Sequence, residues 1–174
     1  MTNDLVSPSD LTGFPGAPFS DDVVDAAVAS LRAYAGWHIA PSRTETLTVD
    51  SDGGDRLTLP SLHVTAVTEV RNVYSADSPS EITGFRWAKA GILALYCGWP
   101  CGFQSVEVDL THGYDTVPVE LLASLAAACA VGSLTGVASR SIGPFSESYS
   151  SSSGSASFFS SDPAASRYAL PPRP

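Results

Sequence analysis

The chain has 174 residues, 44% of them apolar and only 16% charged, with a formal net charge of −9. That is enough apolar material for one packed domain with appendages. A single lysine and scattered arginines exclude the clustered cations that tight binding to nucleic acid requires.

The first 18 residues are rich in Ser, Pro, Gly and Asp and predict an extended arm. They lack the basic start and apolar core of a signal peptide. Ser20 then caps a predicted helix, with Asp21 and Asp22 at the positive end of its dipole. Val24, Ala27, Val28, Leu31 and Ala35 recur at spacings of three and four, which gives one apolar stripe. Gly36 closes this helix, and Trp37 is placed to fold back on its last turn.

The middle of the chain reads as β-structure. Residues 43–51 alternate, with Leu47 and Val49 on one face. Asp52-Gly53-Gly54-Asp55 predicts a hairpin turn, returning through Arg56 to Leu59 until Pro60 stops the ladder. A third strand is expected over residues 65–74, then a loop to residue 81. Residues 82–96 predict a second hairpin turning at Ala90-Gly91. The cleanest alternation spans residues 104–112. Val106, Val108 and Leu110 point to one face; Glu107, Asp109 and Thr111 point to the other.

A second helix is expected from Pro118, in its first turn, to about Gly136. The uncharged stretch from Leu121 to Ala138 reaches the length of a membrane span. It is built mostly from Ala, Gly, Ser and Thr, and predicts a closely packed helix instead. From Ser139 onward 13 of 36 residues are Ser. Alone, such a segment cannot offset its chain entropy. Its interspersed Phe145, Tyr149, Phe158, Phe159, Tyr168 and Leu170 allow it to order on a partner. The expected class is therefore α+β. Two principal helices accompany a central set of antiparallel strands and hairpins. An arm occupies residues 1–18, the α+β domain residues 19–138, and a Ser-rich tail residues 139–174.

His112-Gly113-Tyr114-Asp115 is the one place that invites a catalytic reading. A small hydrolase-like enzyme would use His112 as base, with Asp115 or Asp109 orienting it. The sequence offers no G-x-S-x-G elbow to supply a nucleophile. The four residues read instead as a strand-to-helix joint. Gly113 permits the turn, Tyr114 packs, Asp115 or Thr116 caps the helix, and the His112 ring bonds backbone nearby.

No metal or cofactor site is expected. His38, His63 and His112 share no ligand spacing. Asp50, Asp52 and Asp55 lack the pattern of a calcium loop, and no phosphate-cradling loop is present. Cys97, Cys101 and Cys129, an odd number with a C-x3-C spacing, read as free thiols. Trp37, Trp87 and Trp99 would suit a carbohydrate- or surface-binding module only if exposed; in a mixed α+β pattern they are expected in the core.

The order of these pieces resembles the head-to-tail adaptor (head-completion connector) proteins of long-tailed bacteriophages, especially those of actinobacterial hosts. The resemblance runs from about Ser20 to Gly136. It rests on the D-G-G-D-x-L-x-L-P stretch, Gly98-Trp99-Pro100, and Thr111-His112-Gly113-Tyr114 leading to Val117-Pro118 and an Ala-rich helix. It implies a structural protein of the virion neck, assembled from the host cytoplasm, with no enzymatic activity and no membrane association. Subunits would form a dodecameric ring between the portal and the stopper, and double-stranded DNA would pass through without specific binding. It also implies a C-terminal segment that engages the portal, carried here by Phe145, Tyr149, Phe158, Phe159, Tyr168 and Leu170. The turns at Gly53-Gly54 and Ala90-Gly91 would contact neighbouring rings or subunits.

Overall fold

The apolar stripe predicted near the start folds as α1, Asp21–Ala35, and buries Val24, Ala27, Val28, Leu31 and Ala35. Gly36 ends it at φ 79°, a conformation that costs glycine nothing. The computed structural model describes residues 4–73, 79–134, 139–142, 145–148 and 155–171, with side chains at 4–73, 79–133 and 158–171. It is α+β, and it divides into two compact units. Residues 1–38 and 117–174 form one, and residues 39–116 the other. The chain crosses between them twice, after His38 and after Thr116.

The first unit is helical. α1 packs against α2, Val119–Leu134, and against α3, Ser155–Ser161. A short α4, Pro163–Ser166, follows, capped by Asp162, whose Oδ1 accepts from the Ala164 N–H at 2.9 Å. β8, Ser139–Ile142, and β9, Phe145–Ser148, form a small antiparallel pair. The N-terminal arm is anchored: Leu5, Val6 and Leu11 are buried, and Pro8–Leu11 forms a 3-10 turn. Pro118 sits ahead of α2 and not within its first turn, and its carbonyl accepts from the N–H groups of Leu121 and Leu122. Asp115 and Thr116 precede this cap. The expected helix end at Gly136 lies outside the described residues. Among those residues, no helix is long and apolar enough to cross a membrane.

The second unit is made of two antiparallel sheets. The strands are β1, Arg43–Ser51; β2, Arg56–Thr58; β3, Val64–Asn72; β4, Ser80–Glu81; β5, Arg86–Ala88; β6, Ile92–Ala94; and β7, Gly102–His112. One sheet has the order β1-β7-β3-β4 and the other β2-β6-β5. Their apolar faces contribute to one core, with Val106, Val108 and Leu110 of β7 and Leu57 and Leu93 of the smaller sheet in a single buried cluster.

The expected pairing across Gly53-Gly54 does not form. β1 pairs with β7, from Arg43 opposite His112 to Ser51 opposite Gly102, while β2 pairs with β6. The turn carries the chain from one sheet to the other. Nine residues of alternating β1 match the eleven-residue β7, whereas only three residues of β2 are available. The second expected hairpin does form, with β5 and β6 joined at Ala90-Gly91.

Candidate functional site

β7 delivers His112 to the buried face of the larger sheet, two residues beyond Leu110. The ring is 2% exposed, and its Nε2 lies 2.8 Å from Glu45 Oε1 on the neighbouring strand. Its partner is thus a side chain and not the turn backbone that the sequence led us to expect. Glu45 was legible in principle, since alternation puts it on the same face as Leu47 and Val49. A carboxylate on an apolar face calls for a partner.

Electrostatics fix the state of this pair. Burial pushes the His112 pKa below its ordinary value of 6.5, outweighing the hydrogen bond and charge of Glu45. Burial would raise Glu45, but the bond from His112 and the charge of Arg43 more than offset it and hold the carboxyl low. A neutral imidazole donating Nε2–H to an ionised carboxylate satisfies both. Its consequence is a pH dependence of stability. The unfolded chain binds a proton at His112 below about pH 6.5, while the folded chain resists it. Stability is therefore full above that pH and declines as pH falls through it. The Glu45 contribution is lost only further down, below the ordinary carboxylate range. Between pH 7 and 5 the native chain should lose more stability than a His112→Gln variant. Urea unfolding at the two pH values would check this; equal losses would contradict it.

The rest of the joint is a backbone clasp. The Gly113 N–H donates to the His63 carbonyl at 2.8 Å, and the Gly113 carbonyl lies 3.0 Å from His63 Nδ1. Tyr114 stacks on the His63 ring at 4.0 Å, and burial raises its hydroxyl pKa. The Tyr114 N–H donates to the Ile39 carbonyl, tying the segment after the last strand to the first residue of this unit. Gly113 adopts φ 101°, which only glycine takes without strain.

At the first turn, Gly54 N–H bonds Asp52 Oδ1, and the Gly54 carbonyl accepts from Trp99. Asp50 accepts from the Gln104 N–H at 2.7 Å, so these acids serve separate backbone donors and do not converge as ligands. Trp37 and Trp99 are buried, and Trp87 is 38% exposed, which leaves no row of open indole faces for a sugar. Cys97, Cys101 and Cys129 are free thiols.

Of the six tail residues, Phe159 is fully buried and Phe158 packs edge-on against it at 5.4 Å. The Tyr168 carbonyl accepts from Trp37 Nε1 at 2.6 Å, so Trp37 turns to the tail. The Leu170 N–H donates to the Ala35 carbonyl, and its side chain lies over Gly36. Tyr149 and the side chain of Phe145 lie outside the described residues.

This architecture has counterparts among solved structures. A chain from the neck of an empty gene transfer agent particle, computed with C6 symmetry, matches at a TM-score of 0.55 and 21% identity, over 97% of this chain and 91% of that one. The fold is shared with a particle neck. A chain of the native particle's neck, computed with C12 symmetry, matches at 0.55 and 20% identity over 88% and 82%. A chain of the native virion matches at 0.57 and 21% identity over 97% and 91%. No family model and no curated protein matches the sequence.

Proposed function

We propose that this chain is a structural subunit of the neck of a tailed-phage-like particle, a head-to-tail adaptor. In this reading it forms a twelve-membered ring between portal and stopper and extends the DNA channel. The observation that carries it is the fold shared over nearly the full length with chains of gene transfer agent particles, a neck chain among them. Their C6 and C12 symmetry supports a ring for this chain too. The net charge of −9 suits a channel wall that DNA must slide past. His112 has its Nε2 committed to Glu45 and its ring enclosed, which favours a structural role over a hydrolytic one.

Portal contact is best sought at Phe145 and Tyr149, since Phe159, Tyr168 and Leu170 are engaged within the chain's own helical unit. The turns at Gly53-Gly54 and Ala90-Gly91 remain proposed as contact loops.

The test is negative-stain microscopy, with sedimentation, of the full chain mixed with the portal protein of its own genome. Rings stacked on the portal are expected. A Phe145→Ser, Tyr149→Ser variant should lose stacking while melting like the native chain. Absence of any portal complex with the native chain would reject the neck reading.

A further inference from the structure

The two sheets of the second unit share one core, so their other faces point away from each other. These outer faces carry opposite charge. On the larger sheet, Glu69 lies opposite Asp109, and Arg71 lies opposite both Glu107 and Glu81. Cross-strand partners share a face, so four carboxylates surround one guanidinium there. Arg71 bridges Glu69, Glu107 and Asp109 at 3.1–3.3 Å, and the face keeps a net charge of −3.

The smaller sheet is the reverse. Arg56 on β2 and Arg86 on β5 both lie opposite Ala94 on the central β6. Their side chains therefore flank Ala94 on one outer face, at a net charge of +2, beside the half-open Ile92. Arg32, Arg43, Arg71 and Arg167 all sit in ion pairs. Among the described residues, Arg56 and Arg86 form none. In a chain of net −9, two unpaired cations on one face, opposite an acidic one, call for an occupant with carboxylates.

We propose that the occupant is a second copy of this chain. The basic face of the smaller sheet in one subunit docks on the acidic face of the larger sheet in the next. Such a contact joins two different surfaces. A heterologous contact of this kind propagates head to tail and closes into a ring when the rotation per step allows. A two-fold contact would instead oppose like faces, which costs association. This interface deepens the neck reading and rests on it for ring closure; the charge pairing itself stands on the sheet registers.

Charge exchange tests it. Arg56→Glu with Arg86→Glu turns the smaller face from +2 to −2, and Glu69→Lys with Glu81→Lys turns the larger face from −3 to +1. All four side chains lie on outer faces, so native melting curves are expected and would be verified first. Association is followed by sedimentation with increasing protein, alone and with the portal. Each double variant alone should associate at least about tenfold more weakly, because like charges then meet. An equimolar mixture of the two should recover, since every contact again joins opposite signs. So should a chain carrying all four changes. Native association should weaken as salt shortens the screening length.

Single-face variants that assemble like the native chain would overturn the interface, as would a mixture that fails to recover or a native chain that never self-associates. The neck reading fails separately. Charge-rescued association without any portal complex would reject the neck and keep the interface. Native-like rings on the portal from either single-face variant would do the opposite.

Discussion

Phe159→Ala should destabilise the chain by roughly 3–5 kcal/mol, the cost of emptying a large buried aromatic site. For a chain of this size that lowers the melting temperature by about 10 °C or more. The reason lies in the helical unit. Phe159 is fully buried on α3, which packs against α1 and α2. Ala165 on α4 is fully buried too, and the Leu170 N–H closes on Ala35 at the end of α1. Phe158, partly exposed, should cost far less when truncated to Ala. Differential scanning fluorimetry on both variants would decide. Equal, small shifts would mean that the tail is dispensable to the fold. The same geometry changes how a truncation before Ser139 would behave. It would remove Phe159 and so weaken the helical unit, whatever it did to portal binding.

Helix α1 and strand β7 were legible because their signals are local. A stripe at three and four, an acidic start and a closing glycine define α1 without reference to any other segment. Alternation alone assigns Val106, Val108 and Leu110 inward. What the sequence could not show was partnership. The turn at Gly53-Gly54 has the composition of a hairpin, yet β1 and β2 join different sheets. The competing pairing of β1 with β7 is longer and lies at high sequence separation, where no local rule reaches. The packing of the Ser-rich tail was hidden for a related reason. Composition averages over residues 139–174 and sets Phe159 among serines, whereas Phe159 and Ala165 are both buried in the helical unit.

The candidate joint divides in the same way. Gly113 was readable as a turn glycine, and it takes φ 101°. The stacking of Tyr114 on His63 was not, because His63 stands just ahead of β3, which pairs beside the joint only in the folded sheet. Glu45 was half-legible, as a charge on an apolar face whose partner stood 67 positions away. The opposed charges of the two outer faces need cross-strand register at Ala94 and Arg71, which follows only once β5, β6 and β7 have found their partners.

Gly91→Ala should be the most damaging substitution in the sandwich unit, with little folded protein recovered. Gly91 sits at φ +76°, where an L side chain is strained. A Cβ placed there would stand 2.0 Å from the Ser61 carbonyl oxygen, well inside any tolerable contact. That oxygen belongs to backbone, so no side-chain rotation relieves the clash. The neighbouring Leu59 N–H donates to the Gly91 carbonyl at 2.7 Å, which holds the two segments together. Relief would have to open that bond and shift β2 away from β6, carrying buried Leu57 and Leu93 apart. Losses above about 4 kcal/mol come from a few mechanisms, and backbone clash at a special φ is one. Gly84→Ala is the control. Gly84 has φ +79° but nothing within 4 Å, so it isolates the conformational cost from the steric one. Soluble yield and urea midpoint should rank native, Gly84→Ala, then Gly91→Ala. If the two variants behaved alike, the close approach to Ser61 would contribute nothing. Gly91 would then be free to be read only as part of a contact loop; the expected ranking gives it a prior duty in closing the smaller sheet.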